Sequence, residues 1–213
     1  LVFTPSGDHS PSTQVYSVYQ MHDTFLFNTD PIVNFKSSTG SGKTRCSPFF
    51  FPIKALMDNM QRPFFIMTQP GSSIIDDKMK DFKKTLEDTV ILVRKVDKLL
   101  ELYQTNPTKP VISLLSPQNA LMLLIQAEKS NIDIISKTRF CLDEVHERTV
   151  FTDVLIAKLS QMINDSHISF PLQVLMMSAT PDERILHCFG TVKMWELPDS
   201  QLFPIDTLQL ETD

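Results

Sequence analysis

Short apolar runs alternate with amphipathic stretches along most of the chain. An apolar run of about four to eight residues bounded by turn residues is typical of a buried strand, whereas apolar residues three or four positions apart are typical of a helix. The pattern predicts strands over residues 31–35, 63–68, 90–93, 111–115, 139–142, 172–177 and 192–197. It predicts helices over residues 15–27, 46–60, 75–86, 119–128, 151–163 and 182–189. Strands and helices therefore alternate.

Alternation at this spacing predicts a parallel sheet with helices on both faces. We therefore expect an α/β fold with three layers, in which a doubly wound, mostly parallel sheet lies between two layers of helices. Residues 106–109 are predicted to form a turn. Pro52 is expected to break or kink the second helix, because proline lacks the backbone N–H and clashes with the preceding turn. Ligands of such sheets bind beyond the carboxyl ends of the strands, so the chemistry is expected there.

The loop after the first predicted strand reads Ser37-Ser38-Thr39-Gly40-Ser41-Gly42-Lys43-Thr44. It predicts a phosphate-binding loop (P-loop), in which backbone N–H groups and a helix N-terminus converge on an anion. Gly40 and Gly42 let the backbone approach the phosphates. Lys43 is placed to reach the β- and γ-phosphates and Thr44 to hold Mg²⁺. The strict pattern has glycine at the position of Ser37, so a chance Gly-Lys-Thr in a surface loop is the alternative.

An acidic loop, Asp143-Glu144-Val145-His146-Glu147-Arg148, follows the predicted strand over residues 139–142. A metal-nucleotide site needs one carboxylate to hold the Mg²⁺ shell and another to orient and deprotonate a water. The alternative is a solvated charged turn, which is weakened because the P-loop must lie at the same sheet edge. Ser178 and Thr180 end the strand over residues 172–177, where their hydroxyls are placed to bond the acidic loop.

The order and spacing of these motifs resemble the DEAH-box (DEAH/RHA) RNA helicases of superfamily 2. Residues 39–44 with Pro48 resemble motif I, residues 143–149 resemble motif II, and residues 177–182 resemble motif III. The resemblance extends over roughly residues 30–205, since residues 189–205 are similar to the exit from the first helicase domain.

The resemblance implies that residues 31–205 form the N-terminal RecA-like, ATP-binding P-loop NTPase domain of an ATP-dependent RNA helicase. Residues 1–30 are then a leader with a helix before the first strand, and residues 206–213 start a linker to a second RecA-like domain. The implied cofactors are ATP or another NTP and Mg²⁺. The implied partners are RNA and the second domain, and the implied activity couples NTP hydrolysis to RNA unwinding or translocation.

The resemblance also assigns roles to single residues. The residues that it implies for nucleotide binding are Thr39, Gly40, Ser41, Gly42, Lys43, Thr44 and Arg45. Thr44 and Asp143 are implied to serve Mg²⁺. Glu144 is implied as the catalytic base. His146 is implied to belong to the catalytic group and, with Ser178 and Thr180, to link hydrolysis to strand movement.

The segments implied to contact RNA depart from the family pattern. Gln69 matches the start of motif Ia, and Ser116 represents a motif Ib region that lacks the usual Asp-Gly; these two residues are the implied RNA contacts. Gly71 and Ser72 stand where the family has two arginines. A second hypothesis is therefore a helicase-like scaffold that binds nucleotide or protein partners without unwinding. A third, a P-loop transport or remodelling ATPase of another lineage, explains the P-loop but not the residues that follow Asp143-Glu144.

Composition narrows the class of protein. The formal net charge of −5 argues against a generally sticky nucleic-acid binder, since such domains usually carry a basic excess. The sequence has no apolar stretch of membrane-spanning length. The cysteines Cys46, Cys141 and Cys188 lie far apart and form no zinc-ligand pattern, so a reduced intracellular compartment is expected, with nucleus and cytoplasm both open. The chain starts at Leu1, which suggests a piece of a longer protein.

Overall fold

The computed structural model describes residues 32–37, 43–164 and 172–196. In these residues seven strands form one sheet in the order β3-β4-β2-β5-β6-β1-β7, and every pair of neighbours is parallel. The strands are β1 Ile32–Lys36, β2 Phe64–Thr68, β3 Ile91–Val93, β4 Val111–Leu115, β5 Thr138–Asp143, β6 Gln173–Ser178 and β7 Lys193–Glu196. All seven strands predicted from the apolar runs are present, with ends shifted by a residue or so.

Helices cover both faces of this sheet. Within the described residues they are α1 Lys43–Met57, α2 Ser72–Leu86, α3 Val96–Thr105, α4 Pro117–Lys129, α5 Val150–Asn164 and α6 Glu183–Cys188. A 3₁₀ turn, Glu87–Thr89, follows α2. Helices α1 and α2 contribute to one hydrophobic core, and α3 to α6 contribute to the other. The predicted three-layer, doubly wound α/β fold is confirmed.

The central strand β5 shows how the two cores are filled. Phe140 and Leu142 belong to the core beneath α3 to α6, whereas Cys141 between them belongs to the core beneath α1 and α2. Successive side chains of a strand point to opposite faces, and both faces of a parallel sheet are covered. The strands therefore read as continuous apolar runs in the sequence.

Helix α1 corrects one prediction. It begins at Lys43 and continues through Pro48 and Pro52 to Met57, so of the break or kink predicted at Pro52 the break is wrong. The two prolines lie four residues apart, so the N–H that Pro52 lacks would have bonded the Pro48 carbonyl. Phe51 and Ala55 are fully buried against the sheet, and this packing holds the helix despite the missing bond.

Helix α3 was not predicted from the sequence. Its apolar residues Val96, Leu99 and Tyr103 have helical spacing, and Leu99 and Tyr103 are buried. Lys95, at the N-cap position, makes no side-chain capping bond, so the usual start signal of a helix is missing. The predicted helix over residues 15–27, the leader and the linker lie outside the described residues. In the described part of the chain, no helix is long and apolar enough to cross a membrane.

Phe140→Ala should destabilise the fold by about 3–5 kcal/mol, because it leaves a cavity in the core between the sheet and helices α3 to α6. Phe140 is fully buried on β5, between β2 and β6. Urea unfolding followed by circular dichroism measures the change. Val150→Ala is the control, since Val150 is 76% exposed and its truncation should change the free energy by less than about 0.5 kcal/mol. Equal stability of the two variants would contradict this placement of the core.

Candidate active site

The register of the strands brings the motif residues to one sheet edge. Thr68 at the end of β2 pairs with Leu142, and Asp143 at the end of β5 pairs with Met177. Ser178 at the end of β6 pairs with Lys36 at the end of β1. Each of these strands is followed by a segment that the sequence singled out. The carboxyl ends of β2, β5, β6 and β1 therefore form one continuous edge, as expected for a ligand site in such a sheet.

Asp143 lies at the centre of this edge. Its side chain is 0% exposed. Its Oδ1 accepts a hydrogen bond from the backbone N–H of Glu144 at 3.1 Å, and its Oδ2 accepts one from Gln69 Nε2 at 2.5 Å. Lys78 Nζ lies 3.7 Å from Oδ2 and donates to Gln69 Oε1 at 2.8 Å. We call these three residues the Asp143–Gln69–Lys78 cluster.

Lys78 was not identified from the sequence as a site residue. It lies on α2 between the buried residues Ile75 and Phe82, three positions after one and four before the other, so it occupies a position on the buried stripe of the helix. A lysine on such a stripe was the available signal. Burial lowers the pKa of Lys78 from its ordinary value of 10.5, and the charges of Asp143 and Glu144 oppose this shift.

The backbone turns sharply at Glu144. Its φ is +50°, in the left-handed region, which costs a residue other than glycine on the order of 1–3 kcal/mol. The turn is held by two hydrogen bonds, from the Val145 N–H to the Met177 carbonyl at 3.2 Å and from the Glu147 N–H to the Glu144 carbonyl at 2.8 Å. The Glu144 side chain stays 25% exposed next to the buried Asp143 carboxylate.

His146 connects the loop after β5 to the end of β6. Its Nδ1 lies 3.0 Å from Ser178 Oγ and 3.4 Å from Glu144 Oε2. The Ser178 hydroxyl donates to the Thr180 carbonyl at 2.9 Å and accepts from the Thr180 N–H at 3.1 Å. Because the hydroxyl proton is used by that carbonyl, His146 Nδ1 acts as the donor to Ser178. Thr180 itself is exposed and takes part through its backbone.

A second connection between the same two loops runs through Arg148. Its Nε and Nη2 donate to the two carboxylate oxygens of Asp153 on α5, each at 2.9 Å, and its Nη1 donates to Asp182 Oδ2 at 3.2 Å. Asp182 caps α6 by accepting from the Arg184 N–H at 3.0 Å. The loops after β5 and β6 are therefore joined at two points, near the sheet and further out.

The structure places the remaining predicted site residues as follows. Gln69 is 2% exposed, and its amide is engaged by Asp143 and Lys78. The Ser116 hydroxyl accepts from the Asn119 N–H and caps α4. Their roles in RNA binding stay predictions.

Thr44 is half-buried near the start of α1, and for Lys43 and Arg45 the backbone of α1 is described. The predicted nucleotide-binding residues outside the described part are Thr39, Gly40, Ser41 and Gly42.

The residues at this edge fit Mg²⁺. In the described part of the chain no group of three His, Cys, Asp or Glu side chains could hold a metal ion. Mg²⁺ does not require such a group, because it is usually bound by one or two protein oxygens together with phosphate oxygens and water. The buried Asp143 carboxylate and the Thr44 hydroxyl are hard oxygen donors of this kind.

Comparison with known families gives a direct result. The sequence model of the DEAD/DEAH box helicase family matches residues 15–187, which is most of the chain. The chain belongs to the DEAD/DEAH box helicase family. The helicase family identified from the motifs is therefore confirmed at the level of the DEAD/DEAH box helicases, and the RecA-like P-loop NTPase fold is confirmed as well.

Several solved structures, two of them of helicases, share this fold at low sequence identity. The DUF1998 helicase MrfA bound to DNA and AMPPNP superposes with a TM-score of 0.62 at 16% identity over 91% of this chain and 27% of that one. The Hef helicase domain of Pyrococcus furiosus gives 0.57 at 13% identity over 85% and 38%. The restriction-modification enzyme LlaGI, with a DNA substrate mimic, gives 0.60 at 13% identity over 89% and 20%. The chain thus spans less than half of the length of these proteins.

Arg184→Ala should raise the pKa of Asp182 from about 2 towards its ordinary value of 3.8, because the side-chain hydrogen bond from Arg184 is the largest cause of the depression. A depressed carboxyl pKa stabilises the fold above about pH 3.8, and this contribution is lost as the pH falls towards 2. NMR titration of the carboxyl carbon measures the shift. Arg148→Ala is the matched comparison and should raise this pKa less; no change in Arg184→Ala would contradict the assignment.

Proposed function

We propose that this chain is the NTP-binding and hydrolysing first RecA-like domain of an ATP-dependent RNA helicase of the DEAH type. The observation that carries the proposal is the meeting of Asp143, Glu144, His146 and Ser178 at one sheet edge. Strand β1, which leads into the P-loop, lies two strands from β5 in the same sheet. At the usual strand spacing this separation is about 10 Å, which a bound triphosphate with its metal spans.

The roles of the residues follow from their positions. Asp143 and Thr44 would hold Mg²⁺, which when bound neutralises charge on the β- and γ-phosphate oxygens. The partly exposed Glu144 carboxylate would orient the attacking water and accept its proton. The Glu144 backbone N–H bonds Asp143, so base and metal ligand are fixed relative to each other. His146, which lies next to both Glu144 and Ser178, would transmit a movement of Glu144 to the loop after β6.

The second half of the active site belongs to another domain in this proposal. Phosphoryl transfer also needs positive charge on the equatorial oxygens of the transition state, and an arginine finger typically contributes about 10³–10⁵ in rate. In the resembled family these arginines come from the second RecA-like domain. The 213-residue chain should therefore bind NTP but hydrolyse it at little above the background rate.

A scaffold without unwinding activity is the second candidate, and one observation favours it. Both side chains predicted to contact RNA have partners within the protein, since Gln69 bonds Asp143 and Lys78, and Ser116 caps α4. Gly71 and Ser72 stand where the family has two arginines, so those two positive charges are missing next to Gln69. The two candidates differ in whether RNA stimulates hydrolysis once the second domain is present.

Lys43→Ala should weaken Mg²⁺-NTP binding by at least about tenfold, because it removes the fixed charge aimed at the β- and γ-phosphates. Calorimetry with a non-hydrolysable analogue measures the affinity. Glu144→Gln is the control, since it should leave binding within about threefold while abolishing the RNA-stimulated hydrolysis of a longer chain that includes the second domain. Equal affinity of the wild type and of Lys43→Ala for the nucleotide analogue would contradict the P-loop assignment.

Replacing Gly71 and Ser72 by arginine should raise RNA affinity and steepen its salt dependence by roughly one to two units of log–log slope. A side chain at Gly71 meets Ile74 Cδ1 at 3.3 Å, the exposed end of a flexible side chain, so the change is tolerated. Fluorescence anisotropy with RNA and DNA strands of equal length measures both the slope and the preference.

The double variant Gln104→Arg, Thr108→Arg is the matched control for charge. Both residues are exposed, and they lie at the end of α3 and before β4, at the opposite edge of the sheet. This control variant adds the same two positive charges but should raise the affinity for RNA less than the double variant at Gly71 and Ser72. If the two double variants gain equally, the path of RNA does not follow the edge near β2.

A further inference from the structure

The Asp143–Gln69–Lys78 cluster has a consequence for metal binding. The Asp143 carboxylate is closed off from solvent, and a buried charge without a counter-charge is strongly unfavourable. Here Lys78 supplies positive charge at 3.7 Å, and Gln69 supplies a hydrogen bond to the same oxygen, Oδ2. The carboxylate is therefore neutralised by groups of the protein before any metal arrives.

Gln69 links Lys78 to Asp143 by one hydrogen bond to each residue. Its Oε1 accepts from the Lys78 ammonium at 2.8 Å and its Nε2 donates to Asp143 Oδ2. Turning the amide over would set its NH₂ group against the ammonium and its oxygen against the carboxylate, so the two charged neighbours fix one orientation. Lys78 therefore holds Asp143 both by its charge and through the amide.

The same carboxylate has to accept the metal. Its Oδ1 already accepts from the Glu144 N–H, and its Oδ2 faces the Gln69 amide and the Lys78 ammonium. A divalent cation on Asp143 would lie a few ångströms from the ammonium group, where like charges repel. The Lys78 side chain is 28% exposed, and its long stem allows the ammonium to withdraw towards solvent.

We propose that Lys78 is a resident cation that competes with Mg²⁺ for Asp143. It keeps the buried carboxylate paired while the site is empty and leaves it when Mg²⁺-NTP binds, so it raises the Mg²⁺ concentration at which the site fills. Lys78 is thus a positioning residue that acts through Asp143 and Gln69. The inference rests on the proposed function, in which Asp143 is a metal ligand.

Lys78→Met tests this competition, because methionine keeps an apolar stem and removes the charge. Lys80→Met is the matched control on the same helix, since Lys80 is 79% exposed and pairs with Asp77 away from the site. The probe is Mn²⁺, whose free ion is counted by electron paramagnetic resonance in the presence of a saturating non-hydrolysable ATP analogue. A fluorescent ATP analogue titrated with Mg²⁺ and with EDTA gives the metal dependence of nucleotide binding.

Lys78→Met should lower the metal concentration for half-saturation by about tenfold, whereas Lys80→Met should leave it unchanged. Its melting temperature without metal should fall, and Mn²⁺ with nucleotide should restore it. An unchanged or weakened metal affinity in Lys78→Met overturns the proposal. Lys78→Gln, which removes the charge but keeps an amide able to bond Gln69, gives the same test if the methionine variant folds poorly.

The outcomes separate this inference from the proposed function. If the wild-type chain binds no nucleotide with or without metal, the proposed function fails and Lys78 has no metal to compete with. If the wild type binds nucleotide in a metal-dependent way and Lys78→Met has the same midpoint, the proposed function stands and the competition is refuted.

Discussion

The charge of Asp143 is closed off from solvent at the end of the central strand, and the surrounding residues are arranged to satisfy it. One oxygen is bonded by the next backbone N–H and the other by the amide of Gln69, with the Lys78 ammonium close by. These partners come from the ends of β5 and β2 and from α2, so three elements must meet for the buried carboxylate to have its hydrogen bonds and a nearby positive charge. The all-parallel register of β2 and β5 brings the first two together.

The conformation of the acidic loop is also set at the end of β5, directly after Asp143. Because the chain reverses at Glu144 with a left-handed φ, Val145 returns to pair with Met177 and His146 reaches Ser178. Arg148 then bridges α5 to the cap of α6. The strain at Glu144 is offset by this set of contacts between two neighbouring loops, and as a result the base, the metal ligand and the β6 loop form one connected unit.

Much of this arrangement was predictable from the sequence, and the parts that were not share a cause. Apolar runs reveal strands that are buried on both faces, and a motif after each strand reveals the edge at which residues such as Asp143 and Ser178 meet. Local patterns do not reveal which helix lies over that edge. Lys78 therefore read as one lysine in a polar helix, and Gln69 read as an RNA contact although its amide faces Asp143. Helix α3 was missed because Lys95 gives no capping signal. Helix α1 continues through Pro52 because tertiary packing outweighs the loss of one backbone hydrogen bond.

The position of β1 in the sheet has a consequence for how the domain is made. This strand is near the start of the described chain, yet its neighbours are β6 and β7, near the end, with Ile32 paired to Val174 and Val33 to Lys193. The backbone groups of β1 thus stay without their sheet partners until residues 173–196 have been synthesised, long after β2 to β5 can pair among themselves. Because distant pairings form late and chains grow from the N-terminus, the strand that carries the P-loop is the first of the sheet to be translated and among the last to be incorporated. A nascent chain could therefore pair β2 to β5 before β1 and the contacts between the acidic loop and β6 are in place.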